Sequence, residues 1–342
     1  MNVLDDQPLG SRNTLALDAS ASALVEVARG QDLVEALAWA DERTLPVLPL
    51  GQGSNVVLAD DLQCLVVVMQ TRGVDLLETS TDAVMLRVAA GENWHELVGW
   101  CVEKGYYGLE NLALIPGTVG AAPIQNIGAY GVELASTLQA VHATRLADGQ
   151  AIVIDSADCA FGYRDSVFKG ALKDTAVITA VDLRLSREPV VDISYPALAA
   201  EFDGAVAEPS PRAVYDAVVN VRSRKLPDPA VVPNAGSFFK NPVFNATQAQ
   251  ALGERFPALP QYPQDDGSVK VPAAWMIQHC GWKGIERDGV GVHPEHALVL
   301  VNRGSNSGSA LLALADDIAA SVNDTFGVQL VIEPRVYGHE RA

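Results

Sequence analysis

The chain has 342 residues, a formal net charge of −18 and a hydrophobic content of 49%. This length favours two or three domains, and the charge argues against nucleic acid or an anionic membrane as a partner of the chain as a whole. The four cysteines are widely spaced and form no C-x-x-C or metal-binding pattern, which indicates buried, reduced thiols, no metal site and a cytoplasmic protein. No stretch reaches the roughly 18 apolar residues of a membrane helix, and the first residues hold no apolar run. We therefore expect neither a membrane segment nor a signal peptide.

The first half of the chain alternates apolar strands with amphipathic helices, which predicts an α/β or α+β domain. A helix is predicted over 33–40, and strands over 46–50, 64–69 and 84–90. A second helix should begin after Asn93, a good capping residue, and end near Gly105. Sheet strands joined by tight turns are expected over 141–146, 151–154 and 176–185.

The second half follows a stretch, 188–211, whose prolines and weak periodicity suit a linker or a mobile loop. Beyond it, helices are predicted over 211–224, 247–256, 272–280 and 309–326. Thr247 is the expected cap of the second of these helices. Strands are predicted over 297–302 and 328–337, and no internal repeat is visible.

The segment Leu50–Val57 carries the first groups that could build a site, because it reads Leu-Gly-Gln-Gly-Ser-Asn-Val-Val directly after an apolar strand. Its glycines let backbone N–H groups converge on a phosphate, and Ser54 and Asn55 could add donors. It lacks the third Gly of the dinucleotide fingerprint and the Lys of a P-loop. A plain turn between strands explains the segment equally well.

The segment Ile115–Gly131 is the second candidate, since it holds four glycines and no charged residue. This composition favours backbone packed closely on a large, flat and partly apolar ligand, with Gln125 and Asn126 as hydrogen-bonding groups. The alternative is a glycine-rich loop with a structural role alone.

Two further segments carry basic side chains that could bind a ligand. The segment Phe161–Lys169 concentrates aromatic and charged side chains, which suits either a ligand site or a surface turn with a salt bridge. Arg222, Arg224 and Lys225 form a basic cluster in an acidic chain. Such a cluster invites a phosphate or a carboxylate, and the alternative is a solvated helix end favoured by the helix dipole.

The run Asn234–Pro242 reads Asn-Ala-Gly-Ser-Phe-Phe-Lys-Asn-Pro and packs a hydroxyl, two amides and a cation into nine positions. These polar groups would need partners in a core, and they interrupt any helical period. We interpret the run as a loop that presents Ser237 to a small ligand. A glycine-assisted turn with a solvated Ser is the alternative.

Taken together, these segments resemble the UDP-N-acetylenolpyruvoylglucosamine reductase family, flavoenzymes that make UDP-N-acetylmuramate for peptidoglycan. The resemblance extends over residues 13–338 and depends on several long motifs in one order. The motifs lie at 51–56, 91–95, 108–112, 115–131, 162–166, 225–229 and 234–242.

The resemblance implies an α+β fold in which a vanillyl-alcohol-oxidase-type FAD-binding domain precedes a C-terminal α/β substrate-binding domain. The FAD-binding domain would cover 17–188, with two lobes that separate near residue 70, and a linker with a tyrosine loop would cover 189–226. The substrate-binding domain would cover 227–327, and a strand in 328–342 would return to the FAD-binding domain. The chain resembles the longer type of the family, in which a Tyr loop closes over the substrate, here with Tyr195.

The resemblance also implies which residues form the site. FAD would contact Gly51, Gln52, Gly53, Ser54, Asn55, Pro116, Gly117, Gly120, Gln125, Asn126, Gly128, Ala129 and Tyr130. The substrate would contact Tyr163, Tyr195, Arg222, Lys225, Asn241 and Tyr262. Catalytic roles would fall on Arg164, Ser237 and Glu333, the last placed by its distances from Phe326 and to Gly338 because Ile332 stands where the family commonly has Pro. His296 is left unassigned.

The implied reaction is the reduction of UDP-N-acetylglucosamine enolpyruvate with NADPH and FAD, by a monomer and without a metal. Arg164 and Glu333 would stabilise charge on the substrate carboxylate, and Ser237 would donate a proton. Two rival functions stay open on the sequence alone. One is a flavin oxidase of the same fold, and the other is a non-catalytic protein that binds a nucleotide sugar.

Overall fold

The computed structural model describes residues 1–204, 208–264 and 266–338, and the chain forms two compact units. Unit 1 comprises residues 1–7, 21–52 and 63–224, and unit 2 comprises 8–20, 53–62 and 225–342. Residues 205–207 of the predicted linker, residue 265 of the predicted substrate-binding domain and residues 339–342 of the predicted C-terminal segment lie outside the described residues. Among the helices that the structure describes, none combines the length and the apolar composition needed to cross a bilayer.

Unit 1 begins with a four-stranded sheet, whose strands in spatial order are Val3–Pro8, Ser20–Val27, Leu62–Met69 and Val47–Leu50. The last two strands pair in parallel. From Cys64 onward every residue of Leu62–Met69 is buried, as expected for a strand covered on both faces. Helix α1, Gly30–Asp41, contributes Leu33, Ala36 and Leu37 to the same core.

A five-stranded antiparallel sheet forms the second part of unit 1. Its strands in spatial order are Ala151–Asp155, Leu138–Arg145, Ala176–Ser186, Ala83–Ala89 and Val74–Thr79. Helix α2, Trp94–Lys104, packs on the core of this part, and its Trp94 is fully buried. Asn93 caps the helix by accepting the Glu96 N–H, and Gly105 ends it in the left-handed conformation. The predicted boundaries of this helix are confirmed.

The rest of unit 1 consists of short elements and one longer helix. Helix α3 is Pro196–Ala199 and helix α4 is Pro211–Lys225, whose buried face includes Val214, Val218 and Val221. The short strands Gly128–Ala129 and Val132–Glu133 form a hairpin. Short 3-10 helices lie at Glu110–Leu112, Val119–Gln125, Leu134–Ser136, Ser156–Cys159, Val167–Lys169 and Ala200–Phe202.

Unit 2 contains a four-stranded antiparallel sheet with three helices. The strands in spatial order are Asn234–Ser237, Val299–Asn302, Val290–Val292 and Glu286–Arg287. The helices are α5, Ala246–Arg255; α6, Ala273–His279; and α7, Gly308–Phe326. Smaller strands form two groups: Val243–Phe244 with Val269–Lys270 and Tyr262–Pro263, and Val56–Leu58 in parallel with Arg335–Tyr337. A 3-10 turn lies at Gly10–Arg12.

Three local predictions are wrong. Asn245, not Thr247, caps helix α5, because Asn245 and Gln248 each accept the other's backbone N–H and so satisfy two donors at once. The last strand covers only Arg335–Tyr337, since Pro334 has no N–H to give to a ladder. Cys280 is half-buried, whereas the other three cysteines are buried as expected.

Candidate functional site

In unit 1, the two glycine-rich segments predicted to hold the cofactor meet. A Cβ placed on Gly51 would lie 2.9 Å from the Thr118 Oγ1, so any larger residue there would require the Thr118 side chain to shift. The Gln52 Oε1 accepts a hydrogen bond of 3.1 Å from the Gly117 N–H. Gly120 leaves no room for a side chain, because a Cβ added there would lie 2.6 Å from the Ala90 Cβ. The fold therefore explains why small residues stand at these positions.

The residues of this segment fit the neutral parts of FAD. Pro116 is exposed, the Gln125 amide is half-buried, and the stretch from Ile115 to Gly131 carries no charge. Such a surface of backbone, methyl and amide groups suits a flat, partly apolar ring system. The Asn126 amide is already used inside the protein, because it donates 2.6 Å to the Glu133 Oε2 and accepts 3.0 Å from the Ala135 N–H. Asn126 thus shapes the loop through its side chain.

In unit 2, the second half of the Leu50–Val57 segment, which could bind a phosphate, forms a tight turn. Gly53 has a φ of +64°, and its Cβ would lie 2.1 Å from the Arg12 carbonyl oxygen. The Gly53 carbonyl accepts the Thr14 N–H at 3.1 Å, and the Asn55 carbonyl accepts the Arg335 N–H at 3.0 Å. Ser54 and Asn55 are half-buried at the end of this turn. The main chain here is fixed by unit 2 itself.

Two guanidinium groups lie close together in unit 1. The Arg164 Nη2 donates 3.0 Å to the Gly128 carbonyl, and the Arg164 guanidinium lies 5.5 Å from the Tyr163 ring centroid. The Arg222 Nε is buried and has no hydrogen-bond partner in the described part of the chain. Burial lowers the pKa of Arg222, the Tyr130 hydroxyl raises it, and the positive charge of Arg164 lowers it further. A buried cation of this kind favours an anionic ligand.

Tyr195 lies against Tyr130 in unit 1. The two rings meet edge to face at 5.4 Å between centroids, and 45% of Tyr195 is exposed. Tyr195 is the N-cap residue of α3, whose first residue is Pro196. The role of Tyr195 in a loop over the substrate stays a prediction.

In unit 2, a β-bulge presents Ser237. In the sheet, Asn234 pairs with Val301 and Ser237 pairs with Val299. Two residues of the first strand therefore lie opposite a single residue of the second, which defines a β-bulge. Gly236, with a φ of +69°, makes the bulge possible, and its N–H donates 2.8 Å to the Asn234 Oδ1. Ser237 is half-buried after this bulge.

Glu333 lies beside the same segment of unit 2. Its N–H donates 2.9 Å to the Phe238 carbonyl, and Phe239 forms an antiparallel bridge with Ile332. Only 9% of Glu333 is exposed. The structure thus brings Ser237 and Glu333, which are far apart in the sequence, onto neighbouring stretches of backbone.

The remaining predicted substrate contacts of unit 2 have different surroundings. Tyr262 and Lys225 are exposed, whereas the Asn241 Oδ1 accepts the Ala273 N–H at 3.0 Å and holds the start of α6. His296, which the sequence left unassigned, has a buried Nδ1 without a hydrogen-bond partner among the residues that the structure describes. Burial lowers the pKa of His296, and the nearby cations His293, Lys225 and Lys283 lower it further.

One half-buried and one buried residue of unit 1 had no assigned role in the sequence prediction. The His95 Nδ1 accepts the Leu114 N–H at 3.0 Å, and Leu114 stands at the entrance to the Ile115–Gly131 segment with a φ of +57°. Asn111 donates two hydrogen bonds to backbone carbonyls of distant segments. Both residues lie inside motifs that carried the resemblance, which was the only signal available for them.

Comparison with known proteins identifies the domains of the chain. Residues 21–155 match the family model described as FAD binding domain, and residues 228–337 match the one described as UDP-N-acetylenolpyruvoylglucosamine reductase, C-terminal domain. The expected fold class, an FAD-binding domain followed by a C-terminal substrate domain, is confirmed, as is FAD as the cofactor. The chain is therefore an FAD-dependent oxidoreductase.

The full-length relatives define the family more closely. The UDP-N-acetylenolpyruvoylglucosamine reductase of Ralstonia nicotianae is 47% identical over 98% of this chain and 100% of its own length, and that of Cupriavidus pinatubonensis is 49% identical over 96% and 97%. The chain belongs to the UDP-N-acetylenolpyruvoylglucosamine reductase family. The solved structure of this reductase from Thermus caldophilus has the same fold, with a TM-score of 0.65, 24% identity and 98% coverage of both chains.

Proposed function

We propose that this protein reduces the enolpyruvyl group of UDP-N-acetylglucosamine enolpyruvate to give UDP-N-acetylmuramate, with NADPH as the source of hydride. The names of its full-length relatives support this substrate class. We further propose that it works as a cytoplasmic monomer in the synthesis of peptidoglycan precursors. FAD, held by the glycine-rich segments of the chain, would supply the capacity to carry hydride between NADPH and the substrate.

The observation that carries the proposal is the pairing of the Ser237 and Glu333 segments through the hydrogen bond from the Glu333 N–H to the Phe238 carbonyl. Reduction of an enol ether beside a carboxylate adds hydride to the terminal carbon and a proton to the carbon that bears the carboxylate. A hydroxyl that donates the proton and a carboxyl that shares charge with the substrate carboxylate are what this second step needs. Ser237 and Glu333 supply one group of each kind.

Arg164 takes the electrostatic role in this proposal. Hydride addition moves negative charge onto the substrate carboxylate before the proton arrives, and a guanidinium stabilises that charge through two parallel hydrogen bonds. One Arg164 nitrogen is held by the Gly128 carbonyl, which fixes the direction of the group before the substrate binds. Glu333 in its protonated form would donate to the same carboxylate.

The remaining residues bind the sugar nucleotide. Arg222 carries a buried charge near Tyr130 and Arg164, and an anionic ligand would compensate that charge. Lys225, Tyr262 and Asn241 would contact the diphosphate and the sugar, and Tyr163 and Tyr195 would cover the ligand. Gly51–Asn55 and the Ile115–Gly131 segment would hold FAD through backbone groups.

The experiment that tests the proposal separates the two half-reactions by anaerobic stopped-flow. The purified protein should be yellow, NADPH should bleach the flavin, and UDP-N-acetylglucosamine enolpyruvate should restore its colour. Rapid restoration by oxygen, without any response to the enolpyruvyl sugar, would favour a flavin oxidase, and a colourless protein would favour a non-catalytic binder.

Ser237→Ala sharpens the test. This variant should keep the NADPH half-reaction and slow the second half-reaction by about 10²–10⁴-fold, the usual worth of a general acid. Ser309→Ala, which removes an exposed hydroxyl of the same unit, is the matched control and should react like the parent. A parental rate of flavin reoxidation in Ser237→Ala would remove Ser237 from the mechanism.

A further inference from the structure

Asn111 joins two distant stretches of backbone in unit 1. Its Nδ2 donates 2.9 Å to the Tyr130 carbonyl and 2.8 Å to the Asp192 carbonyl, which is 81 residues away in sequence. Only 3% of Asn111 is exposed. Because an amide nitrogen carries two protons, both of its donors are committed to these carbonyls.

One of the two carbonyls belongs to Tyr130, which pairs with Tyr195, and the other belongs to Asp192 in the segment that leads to Tyr195. Tyr130 itself has a φ of +50°, a conformation that costs a non-glycine residue about 1–2 kcal/mol and therefore needs support from its surroundings. Asp192 stands three residues before Tyr195, and its Oδ1 accepts the Ser194 N–H at 2.8 Å. One buried amide thus fixes the backbone beneath both rings.

Packing and hydrogen bonds together hold this segment. Val191 and Ile193 pack against the apolar core of unit 1. A pocket of about 370 Å³ borders the same segment, and its lining includes Glu110, Asn111, Thr137, Val191 and Asp192. The hydrogen bonds of Asn111 therefore add to the packing at a place where the pocket leaves the segment with fewer neighbouring atoms.

We propose that Asn111 is a positioning residue that holds the Tyr195 loop against Tyr130 and thereby sets the affinity for the sugar nucleotide. This inference rests on the proposed function, in which Tyr195 covers the substrate. Asn111 acts through Tyr195 and does not touch the substrate itself. A change at Asn111 should therefore affect only the oxidative half-reaction, because NADPH must reach the flavin before the sugar nucleotide binds.

The first measurement needs no activity. Hydrogen exchange of the FAD-loaded protein, read by mass spectrometry, should show faster exchange over residues 190–198 in Asn111→Asp than in the parent. This variant keeps the shape of the side chain but replaces both donors with acceptors. Glu201→Gln is the control, because it breaks the Glu201–Arg224 ion pair on the following turn, an exposed contact of little energy. Exchange that is unchanged in Asn111→Asp would overturn the inference even if the reductase activity is established.

The second measurement is a double-mutant cycle on the KM for UDP-N-acetylglucosamine enolpyruvate. Asn111→Asp should raise KM by about tenfold, the factor expected when two ordinary hydrogen bonds are lost, and should leave flavin reduction by NADPH unchanged. In a Tyr195→Ala background the same substitution should change KM by less than about twofold, because the residue through which it acts is gone. An equal effect in both backgrounds, or a slower NADPH half-reaction, would overturn the inference.

A second variant keeps the test decisive if Asn111→Asp does not fold. Asn111→Ser retains one donor on a shorter side chain, and it should raise exchange and KM by a smaller factor in the same direction. If the parent does not reoxidise with the enolpyruvyl sugar, the proposed function fails, and the exchange experiment still decides whether Asn111 anchors the loop.

Discussion

Replacing Arg222 with Met should make the protein more stable and less able to bind its substrate. The buried Arg222 Nε has no hydrogen-bond partner in the part of the chain that the structure describes, and the positive charge of Arg164 lowers the pKa of Arg222. A buried donor left unpaired costs about 1–3 kcal/mol, and desolvation of the charge adds to this cost. Methionine keeps an unbranched apolar stem of similar length and removes both penalties.

The expected gain is an increase of about 1–3 kcal/mol in the free energy of unfolding of the FAD-free protein. In domains of about 150–250 residues, each kcal/mol shifts Tm by about 2–4 °C. The KM for UDP-N-acetylglucosamine enolpyruvate should rise by about 10–100-fold, since a hydrogen bond to a charged group is worth about 1.5–3 kcal/mol. Calorimetry of the FAD-free protein and steady-state kinetics of the FAD-loaded protein measure the two effects.

Arg224→Met on the same helix is the matched control. The Arg224 side chain is 62% exposed and pairs with Glu201, so its loss should change Tm by no more than about 2 °C. A loss of stability greater than about 1 kcal/mol in Arg222→Met would show that the guanidinium is compensated inside the fold. An unchanged KM would show that the charge is not used on the substrate.

Two further predictions concern carboxyl groups. Burial raises the pKa of Glu110, whose Oε1 has no hydrogen-bond partner in the described chain. The Glu110 carboxyl therefore contributes fully to the stability of the folded protein at a pH below the usual pKa of a glutamate. This contribution is lost as the pH rises through the raised pKa of the folded state. Glu110→Gln should therefore gain stability relative to the parent between pH 4.5 and pH 8 in urea unfolding, and a constant difference would contradict this reading. Glu333→Gln keeps a donor of the same size and should retain more reductase activity than Glu333→Ala, while both keep the NADPH half-reaction. A parental oxidative half-reaction in Glu333→Ala would leave Arg164 to stabilise the charge without a carboxyl partner.

Local signals in the sequence were enough to predict several elements. Asn93 and Gly105 bound α2 because a side-chain cap and a left-handed glycine act within a few residues of their own position. The strand from Cys64 to Met69 was readable because burial on both faces leaves an unbroken apolar run. The strand Val3–Pro8 was missed, since most of its residues are exposed or half-buried and it carries two acids.

The contacts that build the candidate site depend on long-range pairing. No local pattern announces that the Glu333 N–H meets the Phe238 carbonyl, or that Asn111 reaches Asp192 across 81 residues. Such contacts follow from the paths of several strands together, so only the motifs shared with a known family pointed to the residues involved. The unpaired Arg222 Nε is likewise a property of packing, and the sequence showed only a basic cluster at a helix end.

The discontinuous composition of unit 2 has a consequence for its synthesis. The Asn234 N–H donates to the Thr14 carbonyl, the Asn302 amide donates to the Leu15 carbonyl, and Val56–Leu58 pairs with Arg335–Tyr337. Residues 8–20 and 53–62 leave the ribosome early, yet the partners that complete their hydrogen bonds are translated last. A truncated chain that ends before residue 335 therefore leaves the Val56–Leu58 strand with an open edge, which is a template for pairing with another chain. We therefore expect that this edge stays unpaired in the nascent chain until translation is nearly complete.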